Sequence, residues 1–108
     1  MRYLGVALLT ALLSSSVSAA EAFTVQLEMK DGELIPNTLT VPANTRIRIE
    51  VHNSGSSPAE FESTQLRKEK VLAPGAKSVV VIARLRPGQY SFFDDFHLDH
   101  PRGLVIAE

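Results

Sequence analysis

The feature that most limits the possible folds of this chain is a series of short segments in which apolar and polar residues alternate. The clearest segment is 45–53, where Ile47, Ile49 and Val51 all fall on one side. A period of two is the pattern of a β-strand with one buried face. Such segments recur about every ten residues with turn residues between them, and helix signals are nearly absent. We therefore predict an all-β chain, folded as an antiparallel Greek-key β-sandwich.

The patterns of the remaining predicted strands indicate different degrees of burial and different positions in the sheets. They cover residues 23–29, 38–42, 59–63, 68–73, 77–85, 89–93 and 103–107. Pro36 and Pro42 flank the second of these and place it at a sheet edge or crossing, because proline cannot donate a ladder hydrogen bond. Residues 79–82 are apolar on both faces, which predicts a deeply buried strand.

The first 20 residues have the three-part pattern of a secretory signal peptide. A basic start at Met1-Arg2 is followed by an apolar run from Tyr3 to Leu13 and a tail of small residues. The run is shorter than the about 20 residues that a membrane-spanning helix needs. We predict cleavage before Ala20 or Glu21, with Phe23 as a third choice for the mature start, and a buried N-terminal helix is the alternative to a signal peptide. Residues 21–108 would then form one exported domain with no stable membrane insertion.

The composition and the absence of common motifs exclude several classes of site and function. The chain has no cysteine, which excludes disulfides, thiolate metal sites and cysteine nucleophiles. A secreted domain without disulfides favours a bacterial periplasm. The formal net charge of -1 is not the clustered basic excess of a nucleic-acid-binding protein. No phosphate loop or Gly-x-Ser-x-Gly elbow is present, and no motif marks Ser63 as a partner of His97, so an enzyme is not the favoured reading.

The densest group of possible metal ligands lies between residues 94 and 100. It contains three carboxylates and two imidazoles: Asp94, Asp95, His97, Asp99 and His100. So many like charges next to aromatic residues cost stability unless a cation lies among them. Oxygen and imidazole donors without sulfur suit iron, Mn(II), Cu(II) or Zn(II), and do not suit Cu(I). We therefore predict a metal site that includes this stretch.

A second group of carboxylates is formed by Glu60, Glu62 and Glu69. Strand alternation places Glu60 and Glu62 on one face, opposite Phe61, which would anchor the core. Because sandwich loops cluster at the ends of the sheets, this segment can meet the residues after position 93 around one ion. The alternative is a solvated face whose glutamates pair with neighbouring basic residues, namely Arg67, Lys68 or Lys70.

Three segments, 58–63, 69–77 and 86–97, resemble the cupredoxin-like domains of the EfeO type. These are small periplasmic β-sandwich proteins associated with bacterial high-affinity iron permeases. The resemblance implies a single cupredoxin-like Greek-key sandwich and a site for iron or Cu(II). The ligands that it implies are Glu60, Glu62, Glu69, Asp95 and His97, followed by Asp94 and His100.

The chain departs from the ligand pattern of blue-copper cupredoxins. Ala59 stands near the place of the first histidine, Asp94 or Asp95 near that of the cysteine, and Arg102 or its neighbours near that of the methionine. Only His97 matches. Without a thiolate there is no blue-copper site, so we do not expect blue-copper electron transfer.

Together with the predicted metal ligands, the EfeO-type resemblance implies a function in iron uptake. We expect a periplasmic protein that binds iron or Cu(II) and passes iron to a membrane permease or a periplasmic iron-binding protein, with assistance to Fe(II) oxidation left open. The alternative is a non-catalytic interaction module that has lost its metal site. Replacing Asp95 and His97 with alanine separates the two, because only the first hypothesis requires metal loading to collapse.

Overall fold

A computed structural model of the chain describes residues 21–108, and the predicted signal peptide lies outside these described residues. The strands of this range are β1 (Phe23–Lys30), β2 (Glu33–Ile35), β3 (Thr38–Val41), β4 (Ile47–Asn53), β5 (Ala59–Ser63), β6 (Lys68–Leu72), β7 (Lys77–Ile82), β8 (Gly88–Asp94) and β9 (Gly103–Ala107). Within residues 21–108 there is no helix that is long and apolar enough to cross a membrane.

Two sheets form the sandwich, which confirms the predicted all-β class. One sheet has the order β2-β1-β4-β7, and the other has the order β3-β9-β8-β5-β6. The buried apolar residues of both sheets form one core cluster between them. At the centre, the rings of Phe61 and Phe92 stack with their centroids 5.3 Å apart, and both side chains are fully buried. Such offset stacking stabilises a core beyond the area that it buries.

The strand pairing corrects two of the sequence predictions. The pairs β1–β4 and β3–β9 are parallel rather than antiparallel. The reason is topological: β3 lies in the other sheet from β1 and β4, so the chain crosses the sandwich before it returns beside β1. The strand β3 does lie at a sheet edge, as its flanking prolines predict. The strand β7 is also an edge strand, and Val81 is 36% exposed, so its apolar run does not mark a central strand.

Asn53, at the end of β4, fixes the loop that leads to β5. Its side chain is buried and donates to the carbonyl oxygens of Ser57 at 2.9 Å and Leu72 at 3.0 Å. Its carbonyl oxygen Oδ1 accepts from the Gly55 amide at 3.0 Å. One side chain thus holds the loop in a single conformation and ties it to the end of β6.

We expect Asn53→Ala to lower the free energy of unfolding by about 1–3 kcal/mol, because buried carbonyl groups lose their donors. Urea unfolding measures this change. Asn37→Ala is the matched control, since Asn37 is exposed and its side chain has only a long contact of 3.4 Å with Thr38. Equal midpoint shifts for the two variants would show that Asn53 does not fix the loop.

Candidate metal centre

Glu60, Glu62 and Glu69 come together on the outer face of the second sheet. Glu60 and Glu62 alternate with the buried Phe61 on β5, and Glu69 stands on β6 directly opposite Glu62. Each of the three glutamates offers a carboxylate oxygen, and these oxygens all lie within 4.8 Å of one another. We call these three residues the glutamate cluster. Within residues 21–108, no other group of three or more His, Asp or Glu side chains converges in this way.

The electrostatics of the glutamate cluster favour binding a proton or another cation. Burial raises the pKa of Glu62, and the negative charges of Glu69, Glu60 and Asp95, with a hydrogen bond to Glu69, raise it further. Burial also raises the pKa of Glu60, together with the charges of Asp95, Glu69 and Asp94. One oxygen of Glu62, Oε2, is shielded from solvent and has no hydrogen-bond donor in the described part of the chain. Like charges directly opposite each other weaken a strand pair unless they are neutralised.

Neighbouring basic residues do not neutralise the glutamate cluster. In the range from Glu21 to Glu108, no Lys or Arg nitrogen lies within 4.0 Å of its carboxylates. Arg67, Lys68 and Lys70 are exposed, although they are close in sequence. Lys70 lies opposite Phe61, on the other face of the strand pair from the glutamates. The ion pairs of the alternative interpretation are therefore not formed.

Asp94 and His97 form a separate group at the end of β8. The Asp94 side chain is almost fully buried, because Asp94 shares the inward face of β8 with Phe92. His97 Nδ1 lies 2.8 Å from Asp94 Oδ2, and His97 Nε2 lies 3.2 Å from the Ser57 hydroxyl. Asp94 Oδ1 accepts from the amides of Glu60 and Phe96, both at 3.0 Å. Both oxygens of Asp94 and both ring nitrogens of His97 are therefore engaged within the protein.

Asp95 and His100 occupy two further positions. Asp95 is exposed, and its amide donates to the Glu60 carbonyl oxygen at 2.9 Å, which places its charge beside the glutamate cluster. The His100 ring packs on Gly32 in the β1–β2 turn, where an added Cβ would lie only 2.5 Å from His100 Cδ2. Its centroid is 6.0 Å from that of His97. Within residues 21–108, only the three glutamates bring their ligand atoms together within 4.8 Å, and metal binding by each candidate ligand stays a prediction.

The positions that the resemblance aligns with copper ligands do not fit a thiolate copper site. Ala59 is buried and offers no donor, and the chain has no cysteine. Asp94 is hydrogen-bonded on both oxygens. The Arg102 guanidinium lies over the face of the Phe93 ring, 4.3 Å from its centroid. The positive charge of Arg102 is attracted to the ring face in this position. Because the chain has no cysteine, a thiolate copper site is excluded.

Ser57 was not among the site residues predicted from the sequence. Ser63, the serine weighed as a partner of His97, is instead buried and donates to the Ser91 carbonyl oxygen at 2.7 Å. Ser57 lies in the polar loop between β4 and β5, and this loop meets the β8–β9 loop at one end of the sandwich. The predicted convergence of the loops at one end of the sandwich includes the loop that contains Ser57. That loop has several serines, however, and no local sequence pattern selects one of them.

Comparison with known proteins places the fold in a family. Residues 3–107 match the family model of the cupredoxin-like domain. An uncharacterised protein of Rickettsia prowazekii is 39% identical over 83 residues, which cover 77% of this chain and 66% of that protein. The match thus spans just under two thirds of the length of this relative.

Solved structures from other organisms share the fold at low sequence identity. A purple cupredoxin from Nitrosopumilus maritimus matches with a TM-score of 0.59 and 19% identity, over 82% of this chain and 100% of that one. Dithionite-reduced auracyanin from Roseiflexus castenholzii matches with a TM-score of 0.66 and 14% identity, over 82% and 99% of the two chains. These likenesses show the fold alone. With the match over residues 3–107, the chain belongs to the cupredoxin-like domain family.

Proposed function

We propose that this protein binds iron at the glutamate cluster and serves a bacterial iron-uptake system, with Cu(II) as the second candidate metal. The observation that carries the proposal is the convergence of three carboxylates within 4.8 Å without a cationic side chain beside them in the described range. Burial first, and then the repulsion between neighbouring carboxylates, raises the pKa values of Glu60 and Glu62, and a cation at this position would offset both effects. The cluster is therefore a better site for a metal ion than a stable feature of a metal-free sheet.

The donor chemistry favours hard cations. Carboxylate oxygens suit Fe(III), Fe(II) and Mn(II), while Cu(I) prefers the sulfur ligands that this chain cannot supply from cysteine. Oxygen donors also favour Fe(III) over the softer Fe(II). Binding at this cluster would favour the oxidation of Fe(II) by dioxygen, which accepts the electron, because the carboxylates stabilise the Fe(III) product. We therefore regard iron as the cargo of a binding protein and not as the cofactor of an enzyme.

The placement of the cluster suits a protein that passes its metal on. Glu69 lies on the edge strand β6 and is exposed, so the cluster is open to solvent on one side. The EfeO-type resemblance supports a periplasmic location and a partner that is a membrane iron permease or a periplasmic iron-binding protein. An exposed carboxylate at a sheet edge is accessible to such a partner, whereas a fully enclosed site is not.

Titration of the purified protein with Fe(III) citrate, Fe(II) under anaerobic conditions, Mn(II) and Cu(II) tests the proposal. We expect one site for iron, and we expect its loss when Glu60, Glu62 and Glu69 are all replaced by glutamine. Glu33→Gln is the control, because Glu33 is an exposed glutamate on β2, in the opposite sheet. Isothermal calorimetry gives the affinity and the number of sites.

Two outcomes would contradict the proposal. One is the absence of binding tighter than about 1 mM, or about 4 kcal/mol, for every metal tested. The other is an affinity that the triple glutamine variant retains. Either result would favour the interaction module, for which the structure offers exposed apolar side chains: Val71 (62% exposed), beside Glu60 in the β5–β6 register, and Leu98 (68% exposed).

A further inference from the structure

The hydrogen bonds around Asp94 converge on the backbone of Glu60. Asp94 Oδ1 accepts from the Glu60 amide at 3.0 Å, and the Asp95 amide donates to the Glu60 carbonyl oxygen at 2.9 Å. Both backbone polar groups of Glu60 are thus held by two consecutive residues at the end of β8. The paired positions of β5 and β8 are Phe61 with Asp94 and Glu62 with Phe93, so these contacts continue the ladder to the residue that carries the first carboxylate.

His97 extends this arrangement to two other loops. Its ring joins Asp94 to Ser57, and the Ser57 hydroxyl also lies 2.9 Å from Asp31 Oδ1 in the β1–β2 turn. Asp31 accepts in addition from the amides of Ser56 and Ser57, at 2.9 and 3.1 Å. The chain Asp31–Ser57–His97–Asp94, which we call the loop clamp, therefore connects three loops at one end of the sandwich.

The loop clamp has the wrong geometry for a ligand set. A metal ion at Asp94 would have to reach a carboxylate that is only 3% exposed, that accepts from two backbone amides and that lies 2.8 Å from the His97 ring. A metal ion at His97 would have to displace Asp94 or Ser57 from a ring nitrogen. Such displacement leaves buried polar groups without partners, which costs about 1–3 kcal/mol for each group. The glutamate cluster offers carboxylate oxygens without this cost.

We propose that Asp94, His97 and Ser57 are positioning residues that fix Glu60 for metal binding, and that they are not ligands of the metal. The inference rests on the proposed function of the glutamate cluster, and it departs from the ligand role that the family resemblance implies for His97 and Asp94. Hydrogen-bonded partners outside a ligand set typically change metal affinity by about 10–100-fold. His97 can therefore be needed for tight metal binding in this protein without touching the ion.

Two substitutions of His97 in the full protein separate positioning from ligation. His97→Asn keeps an N–H donor at the place of Nδ1 for Asp94, while His97→Ala removes it. We expect His97→Asn to bind Cu(II) and Fe(III) within about 3-fold of the native protein and His97→Ala to bind about 10-fold more weakly. His52→Asn is the control for loss of a histidine elsewhere, at the end of β4. Loss of binding by more than about 100-fold in both His97 variants would overturn the inference.

A spectroscopic measurement gives an independent readout. Electron paramagnetic resonance of Cu(II)-loaded protein detects imidazole nitrogen bound to the metal. We expect the spectra of the native protein and of His97→Asn to show the same nitrogen coupling. A coupling that is present in the native protein and lost in His97→Asn would identify His97 as a ligand. In the metal-free protein, the Glu60 and Phe96 amides are expected to exchange hydrogen about 10-fold faster in His97→Ala than in His97→Asn. Equal exchange in the two variants would show that His97 does not hold Asp94 in place.

The outcomes also distinguish this inference from the proposed function. If the native protein does not bind a metal, the proposed function is refuted, and the inference that rests on it is refuted as well. If the native protein binds and the glutamate variants do not, but His97→Asn loses the metal as well, only the positioning role is refuted. Thermal unfolding of each variant shows whether a loss of binding comes from a loss of fold.

Discussion

Replacing Glu62 with glutamine is expected to weaken metal binding and to stabilise the metal-free protein. Glutamine keeps the size of the side chain but removes the charge that Glu60, Glu69 and Asp95 repel. The metal affinity should fall by on the order of 100-fold, since the change removes a charged ligand and not merely a supporting hydrogen bond. The urea midpoint of the metal-free variant should rise at pH 7. A residue with a purely structural role would not produce these two opposite effects.

The stabilisation should depend on pH in a defined direction. The pKa of Glu62 is raised above its usual value of 4.5 in the folded state, so the folded protein binds the proton more tightly than the unfolded chain does. The native protein therefore loses stability as the pH rises from about 4.5 through the raised pKa. Glutamine does not titrate, so the advantage of Glu62→Gln should be small at pH 4 and reach its full size at pH 7.

Urea unfolding of metal-free protein at several pH values measures this effect, with a chelator present throughout. Glu33→Gln is again the matched control, because its carboxylate lies in the other sheet, and its unfolding midpoint should differ little from the native one at any pH. A lower midpoint for Glu62→Gln at pH 7 would contradict the prediction. It would mean that the carboxylate of Glu62 stabilises the fold through a contact with a cationic group.

Replacing Gly103 with alanine is expected to be the most damaging single methyl addition in the core. An added Cβ at Gly103 would lie 2.4 Å from Cζ of Phe92, a ring that is fully buried against Phe61. The ring cannot move away without disturbing its neighbours, because protein cores are close-packed. Overpacking of this kind costs about 1–3 kcal/mol, which urea unfolding can measure. Since Phe61 lies between Glu60 and Glu62, a weaker metal affinity should accompany the loss of stability.

A double-mutant cycle supplies the control for Gly103→Ala. Phe92→Leu shortens the side chain that the new methyl group meets, so alanine at position 103 should cost less in that background than in the native protein. The two single changes are therefore expected to be non-additive. Additive costs would show that the loss comes from the backbone of β9 and not from contact with the ring.

Alternation along single strands was sufficient to predict the class of fold and half of the candidate site. The period of two in β4 and β5 identifies the inward Ile47, Ile49 and Phe61, and it places Glu60 and Glu62 together on the opposite face. A period of two is a local property, because successive side chains of any strand point to opposite faces. The short strand β2 was not predicted, because three residues are too few to establish a period.

The tertiary structure decided which of the ligand-like residues meet. The pairing of Glu62 with Glu69 depends on the β5–β6 register, and the contact between Ser57 and His97 joins residues 40 positions apart. Neither follows from a local pattern, because register and loop convergence are set by cross-strand hydrogen bonds and by the packing of the two sheets. The amino-acid sequence by itself determined a two-sheet fold with paired glutamates on one strand. The burial of Asp94, the contacts of His97 in the loop clamp and the convergence of the three glutamates depend on the packing of the two sheets.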